Sequence, residues 1–159
     1  MKALRFAQSG QTVEVHTNDQ VLQALLAENV PVKMACGGRG LCASCHVFVE
    51  KNAGSLTPKT KREQRTLSLI GEATAQSRLA CQAKVVQDGV VVRLPEGLYV
   101  QNTADLEELI GRRAESRLLH PIDGRVLVPA GKIITRSTVN RLQSVEMDVA
   151  RVLSETRDA

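Results

Sequence analysis

Residues 35–48 read ACGGRGLCASCHVF and place Cys36, Cys42 and Cys45 among three glycines within ten positions. The fourth cysteine of the chain, Cys81, is separated from Cys45 by 35 residues, in SRLACQAKV. Thiols this crowded on one loop need a reason, and three chemistries compete to supply it. A structural zinc site draws its ligands in two close pairs, each gripping one edge of a tetrahedron, so a triple plus a singleton fits zinc poorly. A redox disulfide would join Cys42 and Cys45 across two residues and leave the other cysteines without a role. A two-iron, two-sulfur cluster held by four thiolates also explains the glycines. Its negative charge calls for backbone N–H groups turned inward, and Gly37, Gly38 and Gly40 supply the left-handed turns that such a loop requires.

The composition narrows the setting. The 159 residues suffice for one good domain, or one small domain with an appendage, and 43% hydrophobic with 24% charged residues is ordinary for a globular chain. Phe6, Phe48 and Tyr99 are its only Phe, Tyr or Trp residues, so the core must be built from Val, Leu, Ile and Ala. Stacking on nucleic-acid bases has almost nothing to work with, and no nucleic-acid partner is expected. The net charge of +4 is unevenly placed. Residues 1–98 carry twelve Lys/Arg against eight Asp/Glu, and residues 99–159 carry nine of each. The apolar run in MKALRFAQSG is too short for a signal peptide, and no later segment reaches membrane-spanning length. The expectation is a cytoplasmic protein without membrane insertion, where cysteines at these spacings serve as metal ligands rather than disulfides.

Alternating segments at 2–7 and 11–17 predict a β-hairpin. A helix follows, capped by Asn18 or Asp19, with Val21, Leu22, Leu25 and Leu26 on its apolar face and an end near Asn29, before Pro31. Strands are expected at 46–50, 78–86 and 89–95, the last two around the turn QDG, with a short helix between, capped by Thr57 and carrying Pro58 in its first turn. These elements suit a mixed sheet wrapped on one main helix, an α+β roll. A boundary near 96–102 divides the chain into units 1–98 and 99–159. The second is expected as helix–hairpin–helix: a helix over 104–119 capped by Asn102 or Thr103, and a hairpin preceded by an Asp-Gly turn with Ala-Gly at its tip. A final helix carries Leu142, Val145, Val149 and Val152 as a short seam, laid on its own domain or pairing two copies as a homodimer.

Loop, spacing and the downstream SRLACQ together resemble the [2Fe-2S] ferredoxins over residues 1–98. Five residues between the first two cysteines, against four in the plant type, bring the sequence nearest the adrenodoxin-like vertebrate and bacterial type. CGGRGLCASC is also similar to ferredoxin-like domains of cyanobacteria and other bacteria. The resemblance implies a β-grasp (ubiquitin-like) fold and one-electron transfer through one [2Fe-2S] cluster. It implies iron ligation by Cys36, Cys42, Cys45 and Cys81, with Cys36 and Cys42 on one iron and Cys45 and Cys81 on the other.

Neighbouring residues are read conservatively. His46 follows a ligand, but a Rieske-type centre needs two histidines and only two cysteines, so a structural hydrogen bond from the ring to nearby backbone is expected. Arg39 is expected to face solvent over the cluster, and Ser44 to donate to a cluster sulfur. No nucleotide-binding glycine motif and no Ser/His/Asp set occurs, so an electron carrier is expected rather than an enzyme with its own substrate. The segment 51–66 departs from the adrenodoxin pattern, where the corresponding helix is acidic. Here Lys51, Lys59, Lys61, Arg62 and Arg65 face Glu63 alone. A reversed surface predicts a reductase and an acceptor with acidic docking faces. The alternative is a cluster-bearing adaptor or redox-responsive assembly factor whose extension binds a client.

Overall fold

The structure is a computed structural model that describes residues 1–30, 32, 38–100, 104–140, 147, 150 and 151. Strands β1 (Lys2–Phe6) and β2 (Thr12–Val15) form the expected hairpin, with Leu4 opposite Val13. Alternation turns Leu4, Phe6, Val13 and Val15 inward. Helix α1 (Val21–Ala27) buries Val21, Leu22, Ala24 and Leu25. Its cap is Gln20, whose backbone N–H donates to the Gln23 side chain, and not Asn18 or Asp19. Those two are committed to the turn before it: Asn18 sits at φ 74°, and the Asp19 carboxylate accepts the His16 N–H.

Strand β3 (His46–Lys51) leads through a single 3-10 turn to α2 (Lys61–Ser68). This helix starts later than expected. Thr57 instead exchanges bonds with the Lys84 backbone, and Thr60 becomes the cap by accepting the Glu63 N–H. Strand β4 (Ser77–Leu79) is only the opening of the expected 78–86 strand. Beyond it the N–H groups of Gln82 and Ala83 both return to the Leu79 carbonyl, and the chain turns. Strand β5 (Val90–Arg93) therefore does not pair with β4. It enters between β1, to which it is parallel, and β3, to which it is antiparallel, giving the order β2-β1-β5-β3-β4. This mixed sheet and α1 share one core, in which Leu4, Val21, Val47, Leu79, Val85 and Val90 are fully buried. Each such side chain contributes roughly 1.5–3 kcal/mol of burial.

The segment after residue 97 is organised differently from the expectation. Strand β6 (Leu98–Tyr99), α3 (Ala104–Glu107), β7 (Leu118–Leu119) and β8 (Val126–Val128) make one helical turn and a three-stranded sheet, β6-β7-β8. The helix expected over 104–119 stops after that turn. Gly111 takes φ 91°, and residues 112–114 bond to residues 132–134 instead of continuing the helix. The Asp123-Gly124 turn lies between β7 and β8 rather than ahead of the hairpin, and Ala130-Gly131 forms the turn that follows β8. Val100, Leu106, Ala114, Leu118, Val128, Ile134 and Val139 form a second apolar cluster. Residues 136–140 are helical and Thr135 caps them by accepting the Thr138 N–H. Asn102, Thr103 and the seam positions Leu142, Val145, Val149 and Val152 lie outside the described residues, so the homodimer expectation does too.

One buried ion pair joins α2 to the sheet. Glu63, fully buried, takes the Arg78 guanidinium at 2.7 and 3.0 Å and the Leu79 N–H at 2.9 Å. Removing one member of such a pair strands the other charge in a low-dielectric interior. Glu63→Ala is therefore expected to cost about 3–5 kcal/mol in a denaturant melt, and Glu63→Ala with Arg78→Met to recover most of it. Equal melts for wild type and Glu63→Ala would contradict this account of the pair.

Candidate metal centre

Cys42, Cys45 and Cys81 converge in the interior, at 1%, 4% and 1% exposure. The β3/β4 ladder brings two of them together. His46 lies opposite Leu79, the Ala80 N–H donates to the Cys45 carbonyl at 3.0 Å, and the turn after Leu79 swings Cys81 onto Cys45. The two Sγ atoms stand 3.4 Å apart. Cys36 and Gly37 lie outside the described residues.

From Gly38 onward the loop leading to Cys42 is shaped as its glycines require. Gly38 and Gly40 take φ values of 81° and 74°, in the left-handed region. At Gly40 an added Cβ would also stand 2.8 Å from the Gln82 side chain and displace it. Gln82 spans the site: its amide nitrogen reaches Cys81 Sγ at 3.5 Å and the Gly38 carbonyl at 3.4 Å. From α2, Thr66 donates to the Gly40 carbonyl at 2.6 Å, and Arg62 reaches the Arg39 carbonyl at 3.5 Å. Ser44 Oγ is 3.0 Å from Cys42 Sγ, and the Arg39 side chain is exposed.

His46 is fully enclosed, and burial pushes its pKa down to about 4, so the ring is neutral at physiological pH. Its partner is a side chain rather than the expected backbone: Nε2 lies 2.7 Å from Ser77 Oγ. Ser77 Oγ also accepts the Thr74 N–H at 2.8 Å. The ring packs edge-on against Phe48, which carries Arg93 over its face. His46 is thus absorbed by the fold.

The donor set suits a thiolate-held, positively charged metal group. Hydrogen bonding to Cys81, with burial second, pushes the Cys45 thiol well above its usual range. Two thiolates this close and this dry are stable only beside cationic metal. The roles of Thr66, Gln82, Ser77 and Glu63 were not anticipated. Gln82 and Glu63 left traces, one directly after Cys81 and the other at the capping-box spacing from Thr60. Thr66 and Ser77 left none.

The basic residues of α2 and of the segment leading into it divide by exposure. Lys61, Arg62 and Arg65 are exposed, Lys59 is half-buried, and Glu63 points inward to Arg78. The one acid of the run contributes nothing to the surface.

Residues 4–86 match the 2Fe-2S iron-sulfur cluster binding domain family. Rhodocoxin of Rhodococcus erythropolis is 38% identical over 89 residues, covering 53% of this chain and 83% of that protein. The mitochondrial adrenodoxin homolog of Saccharomyces cerevisiae is 33% identical over 91 residues, covering 55% of this chain and 53% of that one. Among solved structures, the ISC-like [2Fe-2S] ferredoxin of Pseudomonas putida superposes with a TM-score of 0.56 at 30% identity, over 60% of this chain and 93% of its own. The chain belongs to the [2Fe-2S] ferredoxin family, in its adrenodoxin-like type, and is an electron carrier with one [2Fe-2S] cluster.

Proposed function

We propose that Cys36, Cys42, Cys45 and Cys81 hold the cluster and that the basic face of α2 presents it to redox proteins with acidic docking surfaces. The observation that carries the ligand assignment is the buried approach of Cys45 and Cys81 at 3.4 Å, with Cys42 buried in the same loop. When bound, the cluster takes up and releases one electron. The chain's own residues supply the cage. Gly38 and Gly40 bend the loop, Thr66 and Gln82 pin its carbonyls, and Ser44 stands against the Cys42 sulfur. Units 1–98 and 99–159 are taken as a β-grasp ferredoxin domain and an extension, in keeping with the two separate apolar clusters. No helix among the described residues is long and apolar enough to cross a membrane, and a reducing compartment such as the cytoplasm suits the thiol set.

Single Cys→Ser substitutions test the cage. Cys42→Ser, Cys45→Ser and Cys81→Ser, like Cys36→Ser, are expected to lose most iron, acid-labile sulfide and visible colour. Full retention of both in any one of them removes that residue from the ligand set, and a colourless, zinc-loaded wild type overturns the assignment.

The docking face has a steering signature. Lys61, Arg62 and Arg65 are exposed, Arg62 reaches the Arg39 carbonyl of the loop, and no exposed acid of α2 offsets them. A surface of one sign accelerates encounter with the opposite sign by 10-fold or more at low salt, an advantage that screening removes. Oxidation of the reduced protein by ferricyanide, an anion, is expected to slow as ionic strength rises. Combining Lys61→Glu, Arg62→Glu and Arg65→Glu should slow it by about 10-fold at low salt and reverse the salt trend. An unchanged salt dependence in the triple variant would place electron exit elsewhere on the surface.

A further inference from the structure

We propose that residues 120–124 form a positioning clamp on the cluster loop. The Pro121 carbonyl fixes Ala43 between two ligand cysteines and thereby sets the potential and the retention of the cluster. The proposal rests on the assignment of Cys42 and Cys45 as ligands.

Both backbone groups of Ala43 are committed. Its N–H donates to the Pro121 carbonyl at 2.7 Å, its carbonyl accepts the His46 N–H at 2.9 Å, and the residue is fully buried. The first bond comes from outside the ferredoxin sheet. It is the one place where the backbone of the C-terminal segment is bonded into the stretch between Cys42 and Cys45 among the described residues.

The turn that supplies this carbonyl is braced from within. The His120 and Arg125 backbones pair at 2.9 Å, and the Gly124 N–H returns to the His120 carbonyl at 2.9 Å. Nδ1 of His120, a residue at 1% exposure, accepts the Ile122 N–H at 3.1 Å. Asp123 takes the Arg125 N–H and guanidinium at 3.0 and 2.8 Å. Gly124 holds φ 75°, and its α-carbon lies where an added Cβ would stand 3.5 Å from Ile70 and 3.8 Å from Ala43. The approach to the turn is tied down as well: Arg117, just before β7, bonds Glu72 at 2.8 Å and the Glu96 carbonyl at 2.6 Å. A braced turn with a buried face against the loop holds Ala43 in place rather than merely resting on it.

The electrostatic consequence has a definite sign. Reduction adds a negative charge, which N–H donors and water stabilise. An N–H spent on a carbonyl, under a cover that excludes water, withholds both. The clamp therefore holds the potential low, and releasing it raises the potential and opens the loop to cluster loss.

The test uses the full-length cluster-loaded protein. Gly124→Val forces a β-branched residue into the left-handed region, and His120→Ala removes the acceptor for Ile122. His120→Asn supplies that acceptor again, through the side-chain oxygen of an Asx turn. Three readouts are taken: hydrogen–deuterium exchange of the peptide containing Ala43, midpoint potential, and lifetime of the visible bands in excess chelator. Gly124→Val and His120→Ala are expected to exchange Ala43 about 10-fold faster, to titrate at a less negative potential and to bleach sooner. His120→Asn is expected to move back towards wild type in all three, and Val126→Ala, on the exposed edge of β8, to match wild type. Unchanged Ala43 exchange in His120→Ala overturns the clamp, and faster exchange at an unchanged potential overturns its role in setting that potential. If Gly124→Val does not fold, the His120 pair decides. Failure of the ligand assignment is seen separately, as iron retained in Cys42→Ser or Cys45→Ser, and leaves the exchange result standing.

Discussion

Two thiol sulfurs 3.4 Å apart in a dry interior are the constraint to which the rest of the fold answers. As thiolates at an effective dielectric of about 20 they would repel by roughly 5 kcal/mol, so something must both force them together and neutralise them. The forcing is done by a β-ladder whose last bond, from the Ala80 N–H to the Cys45 carbonyl, lies next to both residues. Strand β4 has to be short for this to work. Had it run on, alternation along an extended strand would have carried Cys81 away from Cys45. In the proposed cage the neutralising charge is metal, and Gln82 packs against the loop at Gly40.

Helix α2 serves the cage and the surface at once, through the sorting of its charges. Its inner face places Glu63 on Arg78 and Thr66 on the Gly40 carbonyl, which ties the loop to the sheet. Sending the acid inward strips the outer face of its counter-charge. The same residue that anchors the helix thereby leaves Lys61, Arg62 and Arg65 uncompensated. Structural anchoring and surface sign are consequently linked at Glu63, and a change there alters both.

How much of this was legible in the sequence depended on how local the cause was. The hairpin 2–15 and α1 follow from alternation and apolar spacing and both formed, but Leu26, expected on the apolar face of α1, is exposed and Ala24 is buried in its place. The convergence of Cys42, Cys45 and Cys81, three of the four proposed ligands, was legible because the cysteines carry their own spacing rule. Boundaries failed where a distant partner intervened. Lys84 claimed the Thr57 backbone and shifted the start of α2 to Thr60. The turn at residues 80–83 cut short a run of alternating residues that looked like one strand. The extension is the least legible part of the chain. Ala104 to Leu119 has the composition of a helix, but Gly111 and the pairing of residues 112–114 with residues 132–134 convert it to turns and short strands. Helix propensity is a weak prior, and tertiary pairing outweighed it.

The position of β5 has a consequence for how the molecule comes into being. This strand sits at the centre of the sheet, yet it joins β1 to β3 from residues 90–93, nearly ninety residues after β1. Leu4 and Val90 must find each other across that whole length of chain, and such non-local closure is slow because its entropy is spent before any contact rewards it. On a ribosome, all four cysteines are already synthesised when the strand that closes the sheet is still to come. The thiols therefore exist as a set before the walls around them are complete, and during that interval the edges of β1 and β3 that β5 will occupy stand open to water.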